Sequence, residues 1–300
     1  MTTAPRAFTT GDGTNLGDFS PVDWALTLSV ALIWGSSFLW IAIGLEGLHP
    51  GALALLRVLL GALALAAYAP ARRHVDLAEW RALGVVGVCG NAAPAIFFAF
   101  AEQRVETSVA GMLNAVSPLM VLALAVALTR RAPVRRQLVG LLIGFAGAIM
   151  MAIPNVTGAD AEPLGVFFVL LAITGYALSN TVIPPLQQAF GGPAVILRAQ
   201  IIASIVLLPY GLYGLGDSHW RTDSVVALLI LGIVGTGAAR AMFATLTGRV
   251  GAPRASIMGY LVPVVAIVVG VVVRSESIHP MELAGTAIVL IGAGIISRQS

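Results

Sequence analysis

Residues 82–101 read ALGVVGVCGNAAPAIFFAFA, and residues 227–246 read ALLILGIVGTGAARAMFATL. The second stretch follows the first by 145 positions, and the match runs without a gap from 82–148 onto 227–293. Seventeen positions are identical in that register, among them Gly87/Gly232, Gly90/Gly235, Phe98/Phe243, Arg104/Arg249, Pro118/Pro263, Gly140/Gly285 and Gly147/Gly292. The chain is therefore an internal duplication, and the rest of the sequence has to be read as two copies of one unit.

Composition sets the solvent. The chain is 58% hydrophobic and 10% charged, with a mean hydropathy of +0.93. A soluble domain of this size carries about 25% charged residues. A soluble core cannot hide so much apolar side chain, which predicts an all-α polytopic membrane protein. All 17 basic residues are Arg, a usage that points to a bacterial source with a GC-rich genome and hence to the inner membrane. The net charge of +3 is spread over short loops with no basic face, so nucleic acid is not an expected partner. A single cysteine, Cys89, excludes an internal disulfide and any metal site built from several cysteines. No metal and no cofactor is expected.

A helix needs roughly 20 apolar residues to cross the hydrocarbon core. On that rule ten spans are predicted, at about 24–43, 51–68, 82–100, 107–128, 138–153, 164–182, 194–212, 224–245, 256–273 and 283–296. Residues 1–21, rich in Thr, Gly and Asp, read as a disordered cytoplasmic tail with no signal-peptide cleavage site. With the N-terminus in the cytoplasm, the inner segments hold Arg6, Arg72, Arg73, Arg81, Arg130, Arg131, Arg135, Arg136, Arg249, Arg254 and Arg298. The outer loops hold only Arg104, Arg221 and Arg274. Eleven against three is a strong positive-inside bias, so both termini are expected inside. Spans one to five (22–154) and six to ten (164–300) then form two units joined by an outer linker at 155–163, which carries Asp160 and Glu162. Five is odd, so the second unit sits upside down relative to the first, a construction of secondary transporters. Weaker correspondences agree with it: Arg57 with Arg198, and Trp34 with Tyr176.

At these residues the chain resembles a ten-span member of the drug/metabolite transporter superfamily with two EamA-type domains, at 22–154 and 164–300. The marks are the run Trp34-Gly35-Ser36-Ser37-Phe38, Arg57 early in the second span, and Pro118 and Pro263 in spans four and nine. The openings Leu138-x-Gly140 and Leu283-x-Gly285 complete them. One departure concerns a Glu that the family often carries nine residues before the Gly opening the fifth helix of each repeat. The second repeat has it as Glu276, and the first has Arg131. The resemblance implies an exporter or exchanger of small metabolites such as amino acids, organic acids or drugs. It also implies a central cavity lined by the first, third and fourth helices of each repeat.

Polar groups in hydrocarbon are either paired or line water. The helices expected at the cavity carry Trp34, Ser36, Ser37, Asn91, Asn114 and Ser117 in the first repeat. Those of the second carry Tyr176, Ser179, Asn180, Thr236, Arg240, Ser256 and Tyr260. From these, Trp34, Ser37, Asn91, Asn114, Ser117, Tyr176, Asn180, Thr236, Arg240 and Tyr260 are the substrate-cavity candidates. Small polar residues also close helix contacts in membranes, and each carries that second reading. Pro94, Pro118 and Pro263 are candidates for kinks or gating, because a proline inside a helix frees a carbonyl. Arg57 and Arg198 read as structural. Arg240 differs, since its counterpart is Ala95 and the duplication does not require it. It lies ~8 Å from the midplane at 1.5 Å per residue, so it either snorkels to the surface or faces the cavity, where it would favour an anionic or zwitterionic substrate.

No acidic residue falls deep in a predicted span, and His49, His74, His219 and His279 lie in loops. Proton exchange on a membrane carboxylate is not expected, and neither is an intramembrane enzyme, which needs a nucleophile with a base or a set of metal ligands. A non-transporting scaffold or receptor is the alternative, disfavoured because two interchangeable halves serve alternating access. The expected partners are a small-molecule substrate, the lipid bilayer and a second copy of the chain. Glycines spaced as Gly140/Gly144 and Gly232/Gly235/Gly237 predict close helix packing within the monomer, with dimerisation as the other use.

Overall fold

A computed structural model describes residues 13–105, 110, 113–130, 132–156, 162–274 and 279–298. The fold is all-α. Its main helices are α1 (Pro21–Leu45), α2 (Pro50–Ala67), α3 (Trp80–Ala101), α4 (Ser117–Thr129) and α5 (Arg135–Val156). They continue as α6 (Pro163–Phe190), α7 (Gly192–Gly216), α8 (Thr222–Val250), α9 (Met258–Arg274) and α10 (Pro280–Ser297). Several starts follow one local logic. Proline opens α1, α2, α6 and α10, where its missing N–H costs nothing. Ser20 and His279 close capping boxes with Asp23 and Glu282.

Seven helices, namely α1, α2, α3, α6, α7, α8 and α10, are long and apolar enough to cross a membrane among the described residues. Ten spans were expected, and seven helices meet that criterion. The stretch Asn114–Leu128 is apolar but shorter, and α9 has 17 residues. The predicted fourth span begins among residues that lie outside those described, and Arg6, Arg131, Asp160 and Glu276 lie outside them too. The sixth span was expected to end at 182, yet α6 runs on through Pro184 and Pro185 to Phe190. It stops where Gly191 adopts φ 87°, a conformation that glycine reaches at little cost.

Helix packing pairs distant parts of the chain. α5 lies on α10 and α2 on α7; α1 packs on α8 and α9, and α6 packs on α3 and α4. The α5–α10 crossing explains its glycines. A Cβ on Gly292 would stand 2.6 Å from the Gly144 nitrogen, and one on Gly147 would stand 2.7 Å from the Gly285 carbonyl oxygen. Backbone meets backbone there, so the small residues serve packing inside the monomer.

Of the expected tail, residues 1–12 lie outside the described residues. Residues 13–20 are laid against the ends of α8 and α10 and are not free. Asn15 N donates to the Arg249 carbonyl (2.6 Å) and Phe19 N to the Ser297 carbonyl (2.9 Å). Arg254 then donates to the carbonyls of Asn15, Gly17 and Ser297, and its guanidinium lies 4.9 Å from the Phe19 ring centre. The polar composition that suggested a tail instead supplies the backbone turns and acceptors that two distant arginines use.

Candidate functional site

The site begins with a local irregularity that occurs twice. α3 is π-helical over Val88–Ala92, and α8 over Ile230–Ala238. These segments coincide in the 145-residue register. A π turn bonds i to i−5 and leaves the backbone ladder one partner short. Asn91 Nδ2 supplies the missing donor to the Val86 carbonyl (2.8 Å), and Thr236 Oγ1 supplies it to the Leu231 carbonyl (2.9 Å). Val86 and Leu231 are themselves equivalent positions. The recurring polar spot at Asn91/Thr236 is therefore first a repair of two bulged helices.

Each bulge also receives side chains from the other half. Pro94 has no N–H to offer the preceding turn, and the Gly90 carbonyl accepts from Arg240 Nη2. Arg240 Nε reaches Asn91 Oδ1 at 3.3 Å. At the equivalent glycine of the second bulge, the Gly235 carbonyl accepts from Trp34 Nε1 at 2.9 Å. Arg57 Nε donates to Thr236 Oγ1 at 3.1 Å, and from the same half as this bulge Gln200 Nε2 donates to the Thr236 carbonyl at 2.6 Å. A Cβ on Gly90 would stand 2.7 Å from Ser179 Cβ and 2.7 Å from Arg240 Nη2, so a larger residue there would displace the arginine or shift the helices.

Between the bulges lies a cavity in which about 60 Å³ is open to the centres of water-sized molecules. Arg240 reaches it beneath a stacked pair: the Trp34 and Tyr176 rings are 6.3 Å apart at 11°. Its guanidinium stands 4.9 Å from the Tyr176 centroid and 5.8 Å from that of Trp34. Such cation–π contacts contribute about 2 kcal/mol when desolvated. Phe38, Phe98 and Phe243 make the apolar wall, with Ser37, Asn114, Ser117, Asn180 and Ser256 as polar points. The lining sets a cation at one end and aromatic faces along the walls, in a space smaller than the roughly 300–1,000 Å³ of ordinary ligand pockets, so a ligand with an apolar body needs the helices to part.

Of the ten cavity candidates, Trp34, Ser37, Asn114, Ser117, Tyr176, Asn180 and Arg240 line this space. Asn91 and Thr236 stand behind it, each holding an arginine. Tyr260 is elsewhere. Its ring fills the gap over Gly144, and its hydroxyl donates to the Leu141 carbonyl at 2.8 Å. Pro118 also differs from expectation: it opens α4 after a single 3-10 turn at Asn114–Val116, a place where proline frees no carbonyl. Pro263 lies inside α9. Arg57 read as structural, and it is so toward Thr236 while also lining the cavity. Arg198 caps the Ala71 carbonyl after α2 and takes no part. The aromatic wall was missed because single phenylalanines in apolar helices carry no periodic signal.

Comparison with known proteins bears on what such a cavity is for. A model of the EamA-like transporter family matches residues 24–153 and 163–298. A probable amino-acid metabolite efflux pump of Salmonella typhimurium is 26% identical over 280 residues, covering 90% of this chain and 93% of the pump. A probable terminal-alkyne amino-acid exporter of Streptantibioticus cattleyicolor is 25% identical, covering 92% and 93%. An uncharacterized transporter of Archaeoglobus fulgidus is 23% identical, covering 92% and 99%. A crystal structure superposes with a TM-score of 0.72 at 16% identity, over 91% of this chain and 95% of that one, a likeness of fold.

Proposed function

We propose that this chain, which belongs to the EamA-like transporter family and is a membrane transporter, exports small carboxylate-bearing metabolites by alternating access, with Arg240 receiving the carboxylate. One observation carries the reading. A guanidinium 4% exposed is presented to a central cavity walled by aromatic rings. A charge at that depth is costly unless it is paired or used. Its protein partners are neutral, a carbonyl and an amide oxygen, so an anion would complete its pairing. The relatives named for amino-acid export agree with a substrate that bears a carboxylate.

The architecture we propose is ten spans in two inverted repeats, 22–154 and 164–300, with both termini on the cytoplasmic face of a bacterial inner membrane. The packing supports it. Exchanging α1–α5 with α6–α10 turns the contacts of α1 with α8 and α9 into those of α6 with α3 and α4, and leaves α2–α7 and α5–α10 unchanged. The equivalent residues Trp34 and Tyr176 stack on one another, as they would beside a two-fold axis.

The test is counterflow in proteoliposomes with a mixed panel of amino and organic acids. Carboxylates should exchange, and an Arg240→Ala protein of normal abundance should lose about a hundredfold or more in rate, the cost of removing one partner of a buried charge pair. Unchanged transport by that variant would sink the assignment of Arg240. A chain that moves nothing on the panel would favour the scaffold alternative.

A further inference from the structure

The charge of the cavity goes further than the need for a carboxylate. Two arginines line it, Arg57 at 9% and Arg240 at 4% exposure, and no Asp or Glu stands among the described lining residues. A free amino acid brings an ammonium along with its carboxylate. In this cavity the ammonium would meet two like charges and no anion, in surroundings where such repulsion is weakly screened. Aromatic faces can hold an ammonium without an anion. Here Arg240 already stands 4.9 Å from the Tyr176 ring centre and 5.8 Å from that of Trp34, so an ammonium on either ring would lie close to a like charge.

What the cavity does offer beside the guanidinium is a neutral acceptor. Asn180 is 5% exposed, and its Oδ1 is buried with no hydrogen-bond partner. A buried acceptor left unpaired is unfavourable, and a hydroxyl or an amide N–H on the ligand would satisfy it without adding charge. Ser37 and Ser256 give their hydroxyl protons to helix carbonyls, of Ile33 and Pro253, which leaves their oxygens as further neutral acceptors.

We infer that the cavity selects carboxylates without an ammonium group, namely 2-hydroxy acids and N-acylated amino acids with an apolar body, over free amino acids. The inference rests on the carboxylate reading above and narrows it. Arg240 takes the carboxylate, Asn180 accepts from the neutral hydroxyl or amide donor, and Phe38, Phe98 and Phe243 take the apolar body.

The experiment uses the full chain in proteoliposomes with four matched compounds: phenylalanine, N-acetylphenylalanine, the 2-hydroxy analogue of phenylalanine, and phenethylamine. At neutral pH the acetylated and hydroxylated acids should exchange at least about tenfold faster than the zwitterion, a threshold set below the full cost of an uncompensated buried charge because water can follow the ammonium into the cavity. The amine should not exchange. As pH rises through the ammonium's own pKa the zwitterion becomes an anion, and its rate should climb relative to N-acetylphenylalanine measured alongside. Phenylalanine exchanging as fast as its acetylated form at neutral pH, or a ratio flat with pH, overturns the inference while leaving a carboxylate transporter. Exchange of the amine alone, or of none of the acids, removes the carboxylate reading and this inference with it.

Discussion

Arg104 and Arg249 occupy the same place in the two halves of the sequence, and the fold holds them differently. The backbone around them is treated alike: the Arg104 carbonyl accepts from Glu162 N at 3.2 Å, and the Arg249 carbonyl from Asn15 N at 2.6 Å. The segments entering α6 and α1 thus lie against the ends of α3 and α8 in the same manner. The side chains then part. Arg249 Nε meets Asp23 Oδ1 at 2.6 Å, on a carboxylate with 0% exposure that also accepts from Ser20 and Asn15. Arg104 lies 4.0 Å from Glu162, whose side chain is 67% exposed, and rests on the Phe168 ring. Duplication carries over the course of the chain, and a few side chains decide how firmly each end is fastened. If the proposed alternating access holds, the state with the stronger fastening closed is the one at rest.

The largest expected effect comes from undoing the stronger end. Asp23→Ala leaves Arg249 without its carboxylate and frees the donors of Ser20 and Asn15. Breaking a buried pair costs about 3–5 kcal/mol. Arg249 is 34% exposed and can turn to water, so we expect about 2 kcal/mol here, at the low side after screening. Thermal unfolding in detergent reads it, and Asp23→Ala/Arg249→Ala should be less destabilised than the sum of the singles. Strict additivity would mean that the two residues do not act as a pair.

The second comparison is between the bulges. Thr236→Val keeps the shape but removes the donor to Leu231 and the acceptor for Arg57. Hydrogen bonds inside membrane proteins average about 0.6 kcal/mol, with a maximum near 1.7. Two bonds lost beside a buried arginine place this variant near that upper figure, about 1.5 kcal/mol. Loss of well under half that amount, in the same thermal assay, would show that water replaces the hydroxyl and that the bulge needs no repair.

Much of this was legible in the residues and some was not, for definite reasons. The register exposed Asn91/Thr236 as a recurring polar spot and Arg240 as a residue with no counterpart. It could not reveal that Arg240 lies on the Gly90 carbonyl, because that acceptor exists only where a π turn and Pro94 coincide. The anchoring of residues 13–20 was hidden for another reason: their partners, Arg249 and Arg254, stand more than 200 positions away. Tyr260 was misplaced by rotation. Cavity-lining Gly259 is its neighbour, and one residue along a helix turns the side chain by about 100°, which carries the phenol onto α5.

That rotation yields the third prediction. Tyr260→Phe removes only the bond to Leu141 and should cost about 0.6 kcal/mol. Its exchange rates should match those of the parent, since the ring still covers Gly144 and nothing in the cavity has changed. A changed substrate preference in this variant would return Tyr260 to the cavity.

The smallest effect belongs to the weaker end. Glu162→Gln removes a charge that sits 4.0 Å from Arg104 in contact with solvent. Exposed pairs of that kind contribute between zero and about 1 kcal/mol, and at this separation the value should be near zero. The Glu162 backbone N–H, which makes the equivalent contact to the Arg104 carbonyl, is untouched by the substitution. Stability should therefore stay with the parent while Asp23→Ala falls. If Glu162→Gln were as damaging as Asp23→Ala, the two ends would be equally fastened, and the asymmetry would lie in the geometry of one resting state rather than in the chemistry of its side chains.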